Sequence, residues 1–195
     1  MKRVLSVVLA IGFALSLSSC SSNDPLAQQF KQGDNKNYIA GDGSVTEFRD
    51  VATRKTGAAW TSKTAEGETL RSSDLLGKVV VLNFWYAGCA PCRAETPDLD
   101  KIATKYASKN VVVVGVDLRD SAETALAFLR NHKISYPSVM DNESGDVVLA
   151  YTGIVTPDAV PTTLVLDTEG RVAARVIGRI EPSILETLIK AEVNR

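Results

Sequence analysis

Two cysteines three residues apart, Cys89 and Cys92, have the residue type and spacing best suited to chemistry. They follow an apolar, β-rich run, Val79–Trp85, and open a segment of helical periodicity, which places both at the start of a helix. The free N–H groups and positive partial charge of a helix N-terminus favour a thiolate, the nucleophile of thiol–disulfide exchange. We therefore predict that Cys89 attacks a partner disulfide and that Cys92, one turn along, resolves the mixed disulfide.

Three other interpretations of the cysteine pair fit the sequence less well. A zinc site needs four ligands, but the chain has no second cysteine pair and His132 is the only histidine. Covalent haem attachment needs a histidine directly after the second cysteine, where Arg93 stands. A purely structural disulfide closing so short a loop would stabilise little. We expect redox catalysis without a metal or other cofactor, and the net charge of −1, with no basic stripe, argues against a nucleic-acid partner.

The third cysteine, Cys20, ends an apolar leader. Lys2 and Arg3 precede an apolar run at residues 4–17, which is too short to span a bilayer but suits a signal peptide. The sequence Leu17-Ser18-Ser19-Cys20 resembles the bacterial lipobox, which implies cleavage before Cys20 and a diacylglycerol on its thiol. Two acyl chains are enough for stable anchoring. The alternative is an ordinary cleavable signal with an incidental cysteine.

The chain is predicted to have three parts. Residues 1–19 would be a lipoprotein signal peptide, residues 20–47 the lipidated N-terminus with a flexible tether, and residues 48–195 the folded domain. Residues 21–45 are polar and rich in turn formers, so few positions could build a core. The alternative is a partly ordered extension in which Tyr38 and Ile39 dock on the domain.

Alternating strands and helices in the domain predict an α/β fold with a central mixed sheet and helices on both faces. The predicted strands are residues 58–61 and 68–71, which form a hairpin around a turn at 65–67, then 79–85, 111–116, 137–140, 162–166 and 172–177. The predicted helical segments are residues 72–76, 91–108, 121–131, 145–151 and 182–193.

Three stretches carry a resemblance to a known family: residues 77–85 (GKVVVLNFW), 89–97 (CAPCRAETP) and 160–167 (VPTTLVLD). Through them the chain from about residue 60 to 193 resembles the thioredoxin-like TlpA/ResA family of extracytoplasmic thiol–disulfide oxidoreductases. The resemblance implies a thioredoxin fold with an N-terminal β-hairpin and a helix inserted after the second core strand. Residues 121–131 would be that insertion.

The resemblance also implies residues that meet the substrate. Val160-Pro161 would be a cis peptide facing the disulfide, although an X-Pro bond is otherwise cis in only about 5–6% of cases. The backbone of Val160 would pair with an extended substrate strand, and Ala90 and Pro91 would contact the substrate. Gly88 stands where thioredoxins have a tryptophan, which would open the surface beside the first cysteine.

Glu95 matches an acidic position that the family keeps close to its thiols. It lies three residues after Cys92 and so faces the same side of the helix. A carboxylate there could carry protons to or from Cys92; alternatively, it only complements the helix dipole. Asn83 stands where thioredoxin has a buried aspartate, so another group must carry the proton. Phe84 and Trp85 are predicted as core residues.

The resemblance implies a lipid-anchored enzyme on the extracytoplasmic face of the bacterial cytoplasmic membrane. It would reduce disulfides of exported proteins, such as the apocytochrome c cysteines during cytochrome c maturation. Its electrons would come from a membrane reductant-transfer protein. One alternative is a disulfide-forming oxidase. A second is a thiol peroxidase, but residues 84–89 lack the cysteine motif of that class. A third is a non-catalytic binding lipoprotein, which would not need the second cysteine of the pair.

The lipobox generates the first testable prediction. Cys20→Ala should release the protein from the membrane, because the thiol that would carry the lipid is gone. Mass spectrometry of the mature N-terminus and membrane fractionation check this. Finding an unmodified Cys20 in membrane-extracted wild-type protein would contradict it.

Overall fold

The structure is a computed structural model that describes residues 38–39 and 43–195. The predicted signal peptide, Cys20 and most of the predicted tether lie outside the described residues. No helix within the described ranges is long and apolar enough to cross a membrane.

Nine strands of the described residues form one mixed sheet in the order β1-β2-β9-β8-β5-β6-β7-β3-β4. The strands are β1 (Tyr38–Ile39), β2 (Val45–Glu47), β3 (Thr61–Thr64), β4 (Thr69–Arg71), β5 (Val79–Trp85), β6 (Val111–Asp117), β7 (Ser138–Met140), β8 (Thr162–Leu166) and β9 (Val172–Ile177). The β5–β6 and β6–β7 pairs are parallel, whereas the other pairs are antiparallel.

Strand β5 lies in the middle of the sheet, between β6 and β8, and all seven of its residues are buried. Val79 and Val81 contribute to the core on one face, whereas Val80, Leu82 and Phe84 contribute to the core on the other. A strand covered on both faces needs apolar residues at nearly every position, which explains the run in the sequence.

Four α-helices cover the sheet in the described residues: α1 (Ala90–Tyr106), α2 (Ala122–Asn131), α3 (Asp146–Ala150) and α4 (Pro182–Val193). Short 3-10 segments occupy Val51–Thr53, Ser72–Leu75 and Ala107–Lys109. Helices α1 and α4 pack on the Val79 face through residues such as Leu99 and Leu185, and α3 packs on the opposite face through Val147. The predicted thioredoxin-like α/β architecture is thus confirmed.

The N-terminal hairpin is present, but its first strand begins later than predicted. Strand β3 starts at Thr61 rather than at residue 58. Trp60 is instead buried in the core, and its backbone is held by the N–H and hydroxyl of Ser72 at 3.0 and 3.1 Å. Burial of the Trp60 side chain fixes the position of residues 58–60 without strand pairing. The residue preferences of the segment alone therefore predict the start of the strand too early.

The structure also differs from the predicted start of the domain at residue 48. Residues 45–47, assigned to the tether, form β2 and pair with β9, and Tyr38–Ile39 pair with β2. Val45 is buried in the α1–α4 core. The three-residue run carries no periodicity of its own, and its strand conformation comes from the edge that β9 offers it.

A buried ion network holds the far end of the sheet, where β5 begins. Arg54 contacts Asp167 Oδ2 at 3.0 Å through Nη1 and both Glu192 carboxylate oxygens at 2.7 and 2.8 Å. It joins the segment after β2 to the β8–β9 turn and the end of α4. The functional end of the sheet, where β5 ends at Trp85, is left free of this network.

Candidate active site

The two cysteines lie where β5 gives way to α1. Cys89 is the N-cap of α1, and it forms a disulfide with Cys92. The Cys89 N–H donates to the carbonyl of Tyr86 at 3.1 Å, which closes a turn between strand and helix. The Cys92 N–H points at the Cys89 sulfur, 3.2 Å away. A helix N–H aimed at this sulfur is the arrangement that stabilises a thiolate once the disulfide opens.

The two sulfurs differ in access. Cys89 is 4% exposed and Cys92 is completely buried. Trp85 and the α2 residues Ala125, Phe128 and Leu129 belong to the same buried cluster, so the inserted helix forms one wall of the site. An incoming disulfide therefore meets Cys89 first.

The Val160–Pro161 peptide is cis, as the resemblance implies. Val160 is half-buried and packs against the cluster that contains both cysteines. Among the described residues, the backbone N–H and C=O of Val160 have no hydrogen-bond partner. Ala90 and Pro91, which follow the first cysteine along the chain, are exposed. An extended peptide could use these free backbone groups.

Glu95 is completely buried beneath the start of α1. Its Oε1 accepts a hydrogen bond from Asn83 Nδ2 at 2.7 Å, and its Oε2 accepts one from the Ile180 N–H at 2.8 Å. The Asn83 amide also donates to Thr163 Oγ1 at 3.0 Å, so the carboxyl is joined to β5, β8 and the segment before α4. This burial and these hydrogen bonds favour the proton-carrying interpretation of Glu95 over the helix-dipole one.

Burial raises the pKa of Glu95 from its usual value of 4.5 to about 7, although the hydrogen bonds from Ile180 and Asn83 and the charge of Arg179 lower it. A carboxyl group with this pKa gains and loses a proton near neutrality. Tyr136 lies in the neighbouring core, and its burial, followed by the charge of Glu95, raises its pKa. Tyr136 belongs to no motif, so sequence analysis had no reason to single it out.

Phe84, Trp85 and Gly88 lie as predicted. Phe84 and Trp85 are core residues, and the Trp85 Nε1–H donates to Ser138 Oγ at 2.9 Å. His132 is exposed at the end of α2 and stacks on Phe128 at 4.1 Å. Gly88 is exposed beside Cys89. No group of three potential metal ligands occurs within the described residues.

Sequence reasoning missed the turn between β6 and α2. Asp120 accepts a hydrogen bond from the N–H of Ala87, two residues before Cys89. Asp117 is completely buried, and its burial, with a smaller contribution from Asp120, raises its pKa to about 7 against the effect of two backbone hydrogen bonds. An aspartate ending an apolar strand, followed by a second aspartate and a serine, was the available signal.

Comparisons with known proteins agree with this geometry. Residues 54–175 match the AhpC/TSA family. The chain is similar to the thiol-disulfide oxidoreductase ResA of Bacillus subtilis (strain 168), with 30% identity over 147 residues, 75% of this chain and 76% of that protein. It is 29% identical to ResA of Bacillus anthracis over 125 residues, which cover 64% of this chain and 69% of that one.

Two solved structures are similar across nearly their whole length. A secreted thiol-disulfide isomerase from Corynebacterium glutamicum superposes with a TM-score of 0.70 at 27% identity, covering 82% of this chain and 98% of that chain. A DsbF homologue from Corynebacterium diphtheriae superposes with a TM-score of 0.68 at 28% identity, covering 79% and 96%.

The difference in access between the sulfurs predicts which cysteine binds the partner. Cys92→Ala should accumulate mixed disulfides through Cys89, because the attacking sulfur remains and the resolving one is gone. Cys89→Ala should accumulate few, because Cys92 is buried. Non-reducing electrophoresis with mass spectrometry measures both variants. Equal trapping would refute the assignment.

The pKa of Glu95 predicts how stability depends on pH. Between about 4.5 and 7 the folded protein keeps a proton on Glu95 that the unfolded chain has lost, so the free energy of unfolding falls as pH rises through this window. Residue 95 cannot ionise in Glu95→Gln. The free energy of unfolding of this variant, minus that of wild type, should therefore rise across the window, with a slope that corresponds to at most one bound proton. Urea unfolding at several pH values measures this slope. A pH-independent difference between the two proteins would contradict the prediction.

Proposed function

This chain belongs to the AhpC/TSA family and to the ResA-like thiol–disulfide oxidoreductases, and from that premise we propose that it reduces disulfides in exported proteins. The observation that carries the proposal is the buried Glu95, one helical turn beyond Cys92 and with a pKa near neutrality. Such a group can accept a proton from the cysteine pair and return it, although both cysteines are buried. The exchange needs no cofactor.

The reaction begins with both cysteines reduced. The Cys89 thiolate attacks one sulfur of the substrate disulfide, the substrate S–S bond breaks, and a mixed disulfide forms between Cys89 and the substrate. The departing substrate thiolate takes up a proton. The helix N-terminus, including the Cys92 N–H, stabilises the Cys89 thiolate before the attack.

In the second step Cys92 resolves the mixed disulfide. Cys92 loses its proton to Glu95 and attacks the Cys89 sulfur, and the second substrate sulfur leaves and is protonated. The products are a substrate dithiol and the Cys89–Cys92 disulfide, so two electrons and two protons have passed to the substrate. The acceptor for the Cys92 proton is the ionised form of Glu95, which its pKa makes available near neutral pH.

The rim of the site binds the substrate backbone. Val160 offers a free N–H and C=O beside the cysteines, and the cis Val160–Pro161 peptide holds that edge against them. Ala90 and Pro91 form the opposite side of the rim. Small and apolar residues on this rim accept varied side chains, so recognition rests mainly on the extended backbone of the substrate.

The charge of Glu95 supports the proposed direction of electron flow. A carboxylate near the thiols disfavours a thiolate and raises the thiol pKa, so the reduced pair is kept mainly as thiols. A strong oxidant, in contrast, derives its potential from a strongly stabilised thiolate. A disulfide-forming oxidase is the alternative. A thiol peroxidase is a weaker one, because residues 84–89 lack the peroxidatic motif.

The N-terminal sequence supports the proposed place of action, and the resemblance to the TlpA/ResA family supports the proposed partners. The lipobox at Cys20 would anchor the enzyme to the extracytoplasmic face of the cytoplasmic membrane, and the similarity to a protein described as secreted supports export. A membrane reductant-transfer protein would return the Cys89–Cys92 disulfide to the dithiol. The proposed substrates are the haem-binding cysteines of apocytochrome c, which are reduced before haem attachment.

A redox titration against glutathione tests the direction. The Cys89–Cys92 couple should have a potential nearer the roughly −270 mV of thioredoxin than the roughly −120 mV of a strong oxidant. The reduced protein should also open the disulfide of an oxidised Cys-x-x-Cys-His peptide, with Cys89→Ala as the inactive control. A potential near the oxidant value would reverse the direction while leaving the exchange chemistry intact.

A further inference from the structure

The turn between β6 and α2, residues 117–120, holds the segment that leads into Cys89. Three consecutive residues of this turn contact three consecutive residues of that segment. The contacts are the Leu118 N–H to the Trp85 carbonyl at 3.0 Å, the Arg119 guanidinium over the Tyr86 ring with Cζ 4.5 Å from its centroid, and the Ala87 N–H to the Asp120 carboxylate. Each of the three turn residues contacts one residue of the segment, in the same order along the chain. We call the turn the template, because its contacts fix the course of residues 85–87.

The turn itself is fixed by Asp117. The buried Asp117 Oδ1 accepts hydrogen bonds from the N–H groups of Arg119 and Asp120, at 3.0 and 2.9 Å. Asp117 ends β6 directly opposite Trp85, which ends β5. The template is therefore anchored in the two central parallel strands rather than in a loose surface loop.

The held segment has little freedom on its other side. The Tyr86 carbonyl accepts the Cys89 N–H at 3.1 Å, and a Cβ atom on Gly88 would lie 3.3 Å from the Tyr86 ring. The Tyr86 ring thus contacts Arg119 and leaves little room for a side chain at residue 88. Any movement of Ala87 or Tyr86 displaces the turn that places Cys89 at the N-cap of α1.

We propose that Asp120 is a positioning residue for thiol–disulfide exchange, which holds Ala87 so that Cys89 stays at the helix N-cap. This inference rests on the proposed function, because it concerns the nucleophile of that reaction. Asp120 is an acceptor for the loop and does not take part in bond making. Without it the turn relaxes, Cys89 leaves the helix N–H groups, and its thiolate becomes less favourable.

The charge and the hydrogen bond of Asp120 have opposite effects on Cys89, which separates them experimentally. A nearby negative charge disfavours a thiolate, so removing only the charge lowers the Cys89 thiol pKa. Removing the acceptor raises that pKa, because the helix N–H groups no longer face the sulfur. Asp120→Asn removes the charge and keeps an acceptor oxygen, whereas Asp120→Ala removes both.

The experiment compares these two variants with a matched control. Asp74 also accepts one backbone N–H, that of Arg71 at 3.0 Å, but holds a turn before β5 at the end of the sheet away from the cysteines. The measured quantities are the rate of the reduced protein with a small aromatic disulfide at neutral pH and the Cys89 thiol pKa. Asp120→Ala should slow exchange about fivefold to tenfold and have a higher Cys89 thiol pKa than Asp120→Asn, because both variants lack the charge and only Asp120→Ala lacks the acceptor. Asp120→Asn should stay within about twofold of wild type without a raised pKa, and Asp74→Ala should match wild type.

Several outcomes would overturn the proposal. These are wild-type behaviour in Asp120→Ala, equal slowing in Asp120→Asn, or equal slowing in Asp74→Ala. If Asp120→Ala does not fold, Arg119→Ala decides the question. It loses the stacking of a half-exposed side chain on Tyr86 and a 3.7 Å ion pair with the exposed Asp158, and it leaves the backbone hydrogen bonds of the turn in place. It should slow exchange about twofold to threefold, and an unchanged rate would count against the template. Absence of exchange in wild type would instead refute the proposed function itself.

Discussion

The burial of the Glu95 carboxyl between α1 and the central sheet is the constraint on which the site depends. A buried carboxyl is tolerated because its two oxygens are hydrogen-bonded, one to Asn83 and the other to the Ile180 N–H. These partners come from β5 and from the segment that precedes α4, so the start of α1 can lie in one position over the sheet. That position also determines where Cys89 and Cys92 emerge.

In the same arrangement, the residues around the disulfide have different proposed roles. The helix N-terminus favours charge on Cys89, whereas the buried carboxyl beyond Cys92 is suited to accept a proton from it. Val160 adds free backbone groups at the rim, and the inserted helix α2 shields the inner sulfur with apolar side chains. This asymmetry of burial is the basis for proposing Cys89 as the nucleophile and Cys92 as the proton-coupled resolving thiol.

Much of this arrangement could be predicted from sequence, because it depends on local pattern. The buried strand β5, the cysteines at the start of α1 and the alternation of strands and helices have periodicities that a single sequence displays. The cis Val160–Pro161 peptide required the family resemblance, since residue preference alone favours trans.

What could not be predicted depends on contacts between distant residues. The Ile180 N–H that donates to Glu95 lies 85 positions further along the chain. The sequence around Glu95 was therefore equally consistent with a solvated carboxylate at the helix N-terminus. The strand at residues 45–47 exists because β9 offers it an edge, and β3 begins late because Trp60 is buried in the core. Asp120 accepts a hydrogen bond from Ala87, which lies 33 positions earlier in the chain, and no sequence motif around Asp120 indicates this partner.

The most direct test of the account is the titration of the Glu95 carboxyl itself, followed by carbon-13 NMR in the oxidised protein. With the Cys89–Cys92 disulfide intact neither of these two thiols titrates, and the resonance that disappears in Glu95→Gln identifies Glu95 among the other carboxyl groups, including that of Asp117. The account predicts a pKa of about 7. A value near the usual 4.5 would show that the carboxyl is solvated or fully stabilised as an anion, and would contradict its proposed role as the proton acceptor for Cys92.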